Sequence, residues 1–314
     1  MPDASGCTPI WDRLDLPGVG VGCVGTAQDL TGVTVVVLPE GSRGAVDARG
    51  GAPATRETDC LRPENLVAGP HAVCLSGGSA FGLAAADGVM QALRDVGRGL
   101  AFGGVRIPIV PAAAIFDRGA AAGRWPDPTA GRAAAERGLS LAANVPRGLV
   151  GAGSGATVGK ALGPDLAMAG GQAAVTLVAP DGLRVGAIAV VNALGSIVAA
   201  DGSVIAGPRP QGSAPLATLP LLAAGGWGRG PGEATTLVCL VTDAGLDKAQ
   251  LMRVAAMAQD GLGRAIDPSH TLYDGDTVFA VSTGDRPQDP SRVGALAAHV
   301  VALAIRRAVG VQVA

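Results

Sequence analysis

The 314-residue sequence predicts an α/β or α+β protein. Short apolar, β-branched runs bounded by Gly and Pro alternate with longer stretches of helical period. Hydrophobic residues reach 48% against 16% charged, and the formal charge is −2, so the signature of an unfolded chain is missing despite 49 glycines and 22 prolines. With only 3% aromatic residues, the core must rest on Ala, Val and Leu. The length suits one large domain or two ordinary ones, and either could bury a sizeable core.

Taken in order, strands are expected at 33–38 (VTVVVL), 72–75, 107–110, 175–178, 184–191, 197–200, 236–242 and 278–283. A helix is expected over 79–96, where Leu83, Ala86, Met90 and Leu93 form one stripe, and an Ala-rich one over 129–143, with Arg132, Glu136 and Arg137 on its polar side. Another, over 248–265, aligns Leu251, Val254, Ala258 and Leu262 behind the capping pair Asp247 and Gln250, and one over 290–308 starts at Asp289-Pro290. Residues 207–232 are dense in Gly and Pro without either period and read as a long surface loop ahead of Thr235.

Composition excludes several function classes. A net charge of −2 without a Lys/Arg cluster argues against a nucleic-acid partner. The most apolar run, 185–200, is broken by Gly186, Asn192, Gly195 and Ser196 and is too short to span a membrane. The N-terminal residues lack the basic and apolar regions of a signal peptide, and the five cysteines are single, which fits a reduced cytoplasmic setting. His71, His270 and His299 have no metal-ligand spacing, so neither a metal nor another cofactor is expected.

Several motifs nearly match. GAGSGATVGKA (151–161) lacks the Gly and the Ser/Thr of a Walker A loop at Ser154 and Ala161. Its loose GxGxxA, through Gly151, Gly153 and Ala156, lacks the later acidic residue of a dinucleotide site. GGSAF (77–81) sets Ser79 between a strand and a helix, as in a nucleophile elbow, but Phe81 replaces the final Gly, which favours a helix N-cap. Asp274-Gly275-Asp276 can be a turn, part of a cation site or a carboxylate pair. Of the 24 basic residues only Lys160 and Lys248 are lysines, and an ammonium in a Gly-rich loop suits proton transfer or anion anchoring as well as it suits a surface position. Lys248, in a first helical turn, reads as a surface lysine. Asn192 interrupts an apolar run, so its amide either caps a turn with Ala193-Leu194-Gly195 or serves a site.

The runs 48–67, 71–93 (HAVCLSGGSAFGLAAADGVMQAL), 151–160, 187–195, 234–250 and 265–284 (AIDPSHTLYDGDTVFAVSTG) together resemble, in collinear order, the P1 family of peptidases. That family groups self-cleaving aminopeptidase/esterases, β-peptidyl aminopeptidases and nylon-oligomer endo-hydrolases. The resemblance implies an αββα sandwich, an α+β fold with two sheets between helical layers, formed by residues 1–314 as a single domain that cuts itself. The implied cut precedes Thr235, giving an α chain of 1–234 and a β chain of 235–314. Thr235 would be the nucleophile in both self-cleavage and turnover, with its freed amine as base. Asn192 would stabilise the oxyanion, Lys160 would hold the nucleophile's charge state or position, and Asp274 and Asp276 would orient the amine and hydroxyl. Two Asp residues and a Thr place the chain nearest the nylon-hydrolase branch.

That branch has Asn where this chain has Ala234. Cleavage is still expected, because attack falls on the backbone carbonyl, and the structurally similar ornithine acetyltransferases cleave between Ala and Thr. The implied substrate is a small amide or short peptide, ω-amino acid oligomers included, met by a homo-oligomer such as a tetramer of αβ units. Ile115, Phe116 and Trp125 are candidates for a non-ionic substrate wall, within pocket loops at 112–128 and 207–232. Two other readings stay open: an unprocessed, silent protein with a binding or scaffold role, and an acyltransferase of the ornithine acetyltransferase type.

Overall fold

The computed structural model describes residues 3, 5–225 and 234–309. Residues 226–233, most of the expected approach to the cut, lie outside the described residues.

Two sheets face each other. The larger runs in the order Thr8–Trp11, Gly171–Val178, Arg184–Asn192, Thr235–Ala244, Thr277–Arg286, Arg43–Ala48. All its neighbours are antiparallel except Thr235–Ala244 and Thr277–Arg286, which run parallel. The smaller sheet runs Gly20–Val24, Val33–Val37, Ala72–Ser76, Ala112–Ala114, Ala54–Arg56.

Strand alternation sorts the apolar residues into three layers. Val36, Val73, Leu75 and Ala113 of the smaller sheet meet Ile188, Val190, Leu237, Cys239 and Phe279 of the larger in a central core. Val33, Val35, Val37, Ala72 and Cys74 turn outward onto helices Ala85–Asp95 and Pro128–Leu139. Ala187, Ala189, Val191, Val238 and Leu240 turn outward onto helices Lys248–Ala265 and Pro290–Ala308. The result is an αββα sandwich. Among the described residues no helix is long and apolar enough to cross a membrane.

The long helices start where their caps are. Asp247 accepts from Gln250 N while the Gln250 side chain returns to the Asp247 amide, a full capping box, and Asp289 accepts from Ser291 N ahead of Pro290.

Three expectations need correction. The helix expected over 79–96 is two helices, Ser79–Gly82 and Ala85–Asp95, because bonds from Leu83, Ala84, Ala86 and Asp87 to the residue three back tighten the chain between them. No strand covers 107–110. Ile109 N donates to His71 Nδ1 and Val110 N to Glu57 Oε2, so these amides serve side chains instead of a ladder, while Val105–Ile107 closes an exposed hairpin with Leu100–Phe102. The stretch expected to be loop at 207–232 carries a short helix, Thr218–Ala223.

Strand Gly20–Val24 has no alternating apolar signal in the sequence because glycines replace its alternate apolar residues. A Cβ on Gly22 would come within 1.9 Å of Ala134 O, so the glycine lets helix Pro128–Leu139 lie directly on the strand.

Candidate active site

Topology brings three strand ends together at one edge of the larger sheet. Thr235 begins the central strand, and its register partner Asn192 ends the antiparallel neighbour. On the other side Thr277 begins the parallel neighbour, so Asp274 and Asp276 precede it at the same edge. Thr235, Asn192, Asp274 and Asp276 are each at most 3% exposed, and Lys160 is 7% exposed.

The Asn192 side chain reaches two other segments. Its Oδ1 accepts from Thr157 N at 3.0 Å and its Nδ2 donates to Phe116 O at 2.8 Å, tying two loops to the strand end. Lys160 Nζ donates to Asn192 O at 3.0 Å, while Lys160 N donates to Leu194 O. The Gly-rich segment before Lys160 is therefore not a surface loop. Its residues Gly151–Ala156 are buried, and Gly159 is left-handed at φ +72° against the backbone of Gly207.

The acidic side is equally tied down. Asp276 Oδ1 accepts from Thr236 N at 2.7 Å, and its Oδ2 accepts from His270 N at 3.0 Å and meets His270 Nδ1 at 2.8 Å. Asp274 Oδ2 accepts from Thr271 N and Thr271 Oγ1 at 3.0 and 2.6 Å. Burial, followed by the charge of Asp276, pushes Asp274 up to about 6. Burial works against a charged His270, but its bond to Asp276 and the nearby carboxylate charges outweigh this, and its pKa is raised.

At the centre, Thr235 Oγ1 contacts Ala234 O, the carbonyl of the residue before it. Gly275 N also donates to Ala234 O, at 2.9 Å, and Ala234 N donates to Tyr273 O. A hydroxyl thus lies beside a carbonyl whose oxygen already holds a donor, an arrangement suited to addition at that carbonyl. No bond in this set uses the side chain of residue 234.

Of the expected substrate wall, Phe116 lines a cavity of about 120 Å³ together with Asp117, Thr157, Lys160 and Pro164. Ile115 is fully buried in the central core and Trp125 stacks on Phe81 with centroids 4.7 Å apart, so neither belongs to that lining. A second, more apolar cavity of about 380 Å³ lies between Leu219 and Leu222 on one side and Pro268, Thr271, Leu272 and Tyr273 on the other, next to the Asp274 turn.

Ser79 is not the N-cap of its helix. Gly78 holds that position without a side-chain cap, and Ser79 is left-handed at φ +57°. Lys248 donates to Cys60 O and Asn65 O away from the site. His71 and His299 are also remote, whereas His270 joins the site unannounced by any spacing rule. The only sequence signal for it was its position four residues before Asp274 in SHTLYDGD.

The sequence matches peptidase family S58 over residues 13–311. An uncharacterised aminopeptidase of Mycobacterium leprae is 43% identical over 273 residues, 81% of this chain and 71% of that protein. A 6-aminohexanoate-oligomer endohydrolase of Paenarthrobacter ureafaciens is 33% identical over 311 residues, 93% of this chain and 81% of that protein. Among solved structures, an L-aminopeptidase D-Ala-esterase/amidase of Ochrobactrum anthropi, a variant of the N-terminal-nucleophile hydrolase fold, superposes with a TM-score of 0.67 at 18% identity, covering 98% of this chain and 90% of that one. Match, relatives and fold agree: the chain belongs to peptidase family S58 and is a hydrolase of amide or peptide bonds.

Proposed function

We propose that this hydrolase is self-processing, cuts its own chain between Ala234 and Thr235, and then uses Thr235 as an N-terminal nucleophile on small amides and short peptides, ω-amino acid oligomers included. The observation that carries this reading is the Thr235 hydroxyl against the Ala234 carbonyl, at a strand end flanked by Asn192, Lys160, Asp274 and Asp276.

In this reading the hydroxyl adds to the Ala234 carbonyl, the C–N bond breaks, and the chain passes through an ester that water hydrolyses. The released α-amine, with a reference pKa of about 7.7–8.0, then serves as base for its own hydroxyl. Asp276 holds the amide that follows Thr235, and Asp274 orients the amine. Lys160 fixes the strand end through the Asn192 carbonyl. Asn192, held at the strand end beside Thr235 by its bonds to Thr157 and Phe116, is the candidate for a role toward the substrate oxyanion. The apolar cavity beside Tyr273 suits the methylene chain of an ω-amino acid oligomer.

Ala234 is no obstacle, since the contacts around its carbonyl come from Thr235 and the Gly275 backbone. The protein is further proposed to act as a cytoplasmic homo-oligomer, supported by the exposed apolar hairpin carrying Phe102, Val105 and Ile107.

Intact mass of the purified protein tests the reading. The expected result is two fragments, the smaller of 80 residues starting at Thr235, with hydrolysis of 6-aminohexanoate oligomers or aminoacyl anilides. Thr235→Ala should stay full length and inactive. A wild-type chain that remains whole, or a Thr235→Ala chain that is still cut before residue 235, rejects it.

A further inference from the structure

We infer that the backbone N–H of Gly275 is the oxyanion donor of the self-cleavage step, and that residue 275 is glycine because its absent Cβ leaves the space the Thr235 hydroxyl occupies. This rests on the proposed cut before Thr235 and assigns the group that stabilises its transition state.

Two distances meet at this one residue. Gly275 N lies 2.9 Å from Ala234 O, in the range wanted for an oxyanion donor. A Cβ built on Gly275 would lie 2.7 Å from Thr235 Oγ1 and 2.8 Å from Ala52 O. Gly275 is not among the left-handed glycines, so its backbone conformation would accept alanine and only space forbids it. Asp-Gly in sequence suggests a glycine kept for a turn; here the glycine is kept for its neighbour.

The donor is fixed before reaction begins. Residues 234 and 274 pair as an isolated parallel bridge. Ala52 N donates to Asp274 O, Arg49 N and Gly50 N donate to Asp276 O, and the Asp274 and Asp276 carboxylates are bonded to Thr271 and Thr236. A donor held from both sides needs no rearrangement as charge appears.

The Thr235 oxygen forms a bond to the Ala234 carbonyl carbon, and the C=O π pair moves onto the oxygen facing Gly275 N. The hydroxyl proton passes to the Thr235 nitrogen as the C–N bond breaks, and the π pair returns to give an ester and a free amine. Water then adds to the ester, yielding the Ala234 carboxylate and the Thr235 hydroxyl. A substrate carbonyl placed where Ala234 stood would meet the same donor.

The test compares self-cleavage rates, by intact mass over time, of three full-length chains: wild type, Gly275→Ala, and a chain with glycolic acid at position 275, whose backbone ester removes only the N–H. We expect the ester chain to cleave about 100- to 1000-fold more slowly at a Tm close to wild type, and Gly275→Ala to stay whole while wild type completes. An ester chain that cleaves at the wild-type rate overturns the inference and leaves the Thr235 reading intact. A wild-type chain that never cuts before Thr235 overturns both. Should Gly275→Ala fail to fold, the ester chain, which adds no atom, decides alone.

Discussion

On the Asn192 side of Thr235 the polar groups are amides and one ammonium, with Lys160 and Asn192 joined through a backbone carbonyl and anchored to Thr157 and Phe116. On the opposite side they are two carboxylates, an imidazole and a hydroxyl, packed within residues 270–276. The first wall draws on segments far apart in the chain, and its lysine donates to a strand-end carbonyl. The second is local, and it places like charges close enough for one carboxylate to be pushed up to about 6. The two walls differ in kind: one is tied together by donors from distant segments, and the other crowds a carboxylate and an imidazole, both with raised pKa, into one turn.

Both walls nevertheless depend on glycine where backbones touch, and breaking that dependence should give the largest effects. A Cβ on Gly50 would lie 2.2 Å from Asp274 O and 2.4 Å from Asp276 N, and one on Gly159 would lie 2.3 Å from the carbonyl carbon of Gly207. All of these are backbone atoms that cannot rotate away. Gly50→Ala and Gly159→Ala should each cost about 3 kcal/mol in urea unfolding and leave the chain uncut by intact mass. Retention of wild-type stability by either would show that its wall is looser than the distances imply.

A middle-sized effect should separate the walls by pH. The folded-state pKa of Asp274 lies above its ordinary 3.8, so the stability it contributes is fully present below about pH 4 and is lost as pH rises through about 6. At 1.36 kcal/mol per unit the full loss is about 3 kcal/mol, of which roughly 2 kcal/mol falls between pH 4 and 7. In a Thr235→Ala background, which should keep the chain whole, Asp274→Asn should remove this part of the pH dependence. Urea unfolding between pH 4 and 7 checks it, and parallel curves for the two proteins would count against the carboxylate wall as drawn.

Legibility in the sequence follows the range of the interactions. Strand Val33–Val37 announces itself through an unbroken β-branched run and Thr235–Ala244 through a strongly apolar one, and the capping box at Asp247 is written in four consecutive residues. Asn192, Lys160, Asp274 and Asp276 stand out singly in the sequence, but their roles, and Thr235 itself, come from a family resemblance, because no local spacing links residues that meet only when three strand ends converge. His270, Thr271 and the roles of Gly50 and Gly275 stayed hidden. A glycine's reason is visible only once its neighbour is known: on Gly22 it is a helix carbonyl, on Gly50 an acidic turn, and on Gly275 a hydroxyl. Ile115 faces the inter-sheet core and not the cavity, a difference invisible in sequence because an apolar residue beside a pocket loop looks the same either way.

The smallest effect is expected at a glycine outside both walls. Gly212 is left-handed at φ +76° on the exposed turn before helix Thr218–Ala223, and a Cβ there would meet nothing within 4 Å. Its reason is conformational, so Gly212→Ala should cost only the strain of a left-handed L-residue, about 1 kcal/mol, and self-cleavage should run at the wild-type rate. Set beside Gly50→Ala, it asks whether the density of glycine in this chain reflects one cause or two. A Gly212→Ala chain that is as unstable and as uncut as Gly50→Ala would mean that the exposed turn is coupled to the site. Equal cleavage with a small stability loss would assign the turn glycines to chain direction and the wall glycines to close approach at the reacting bond.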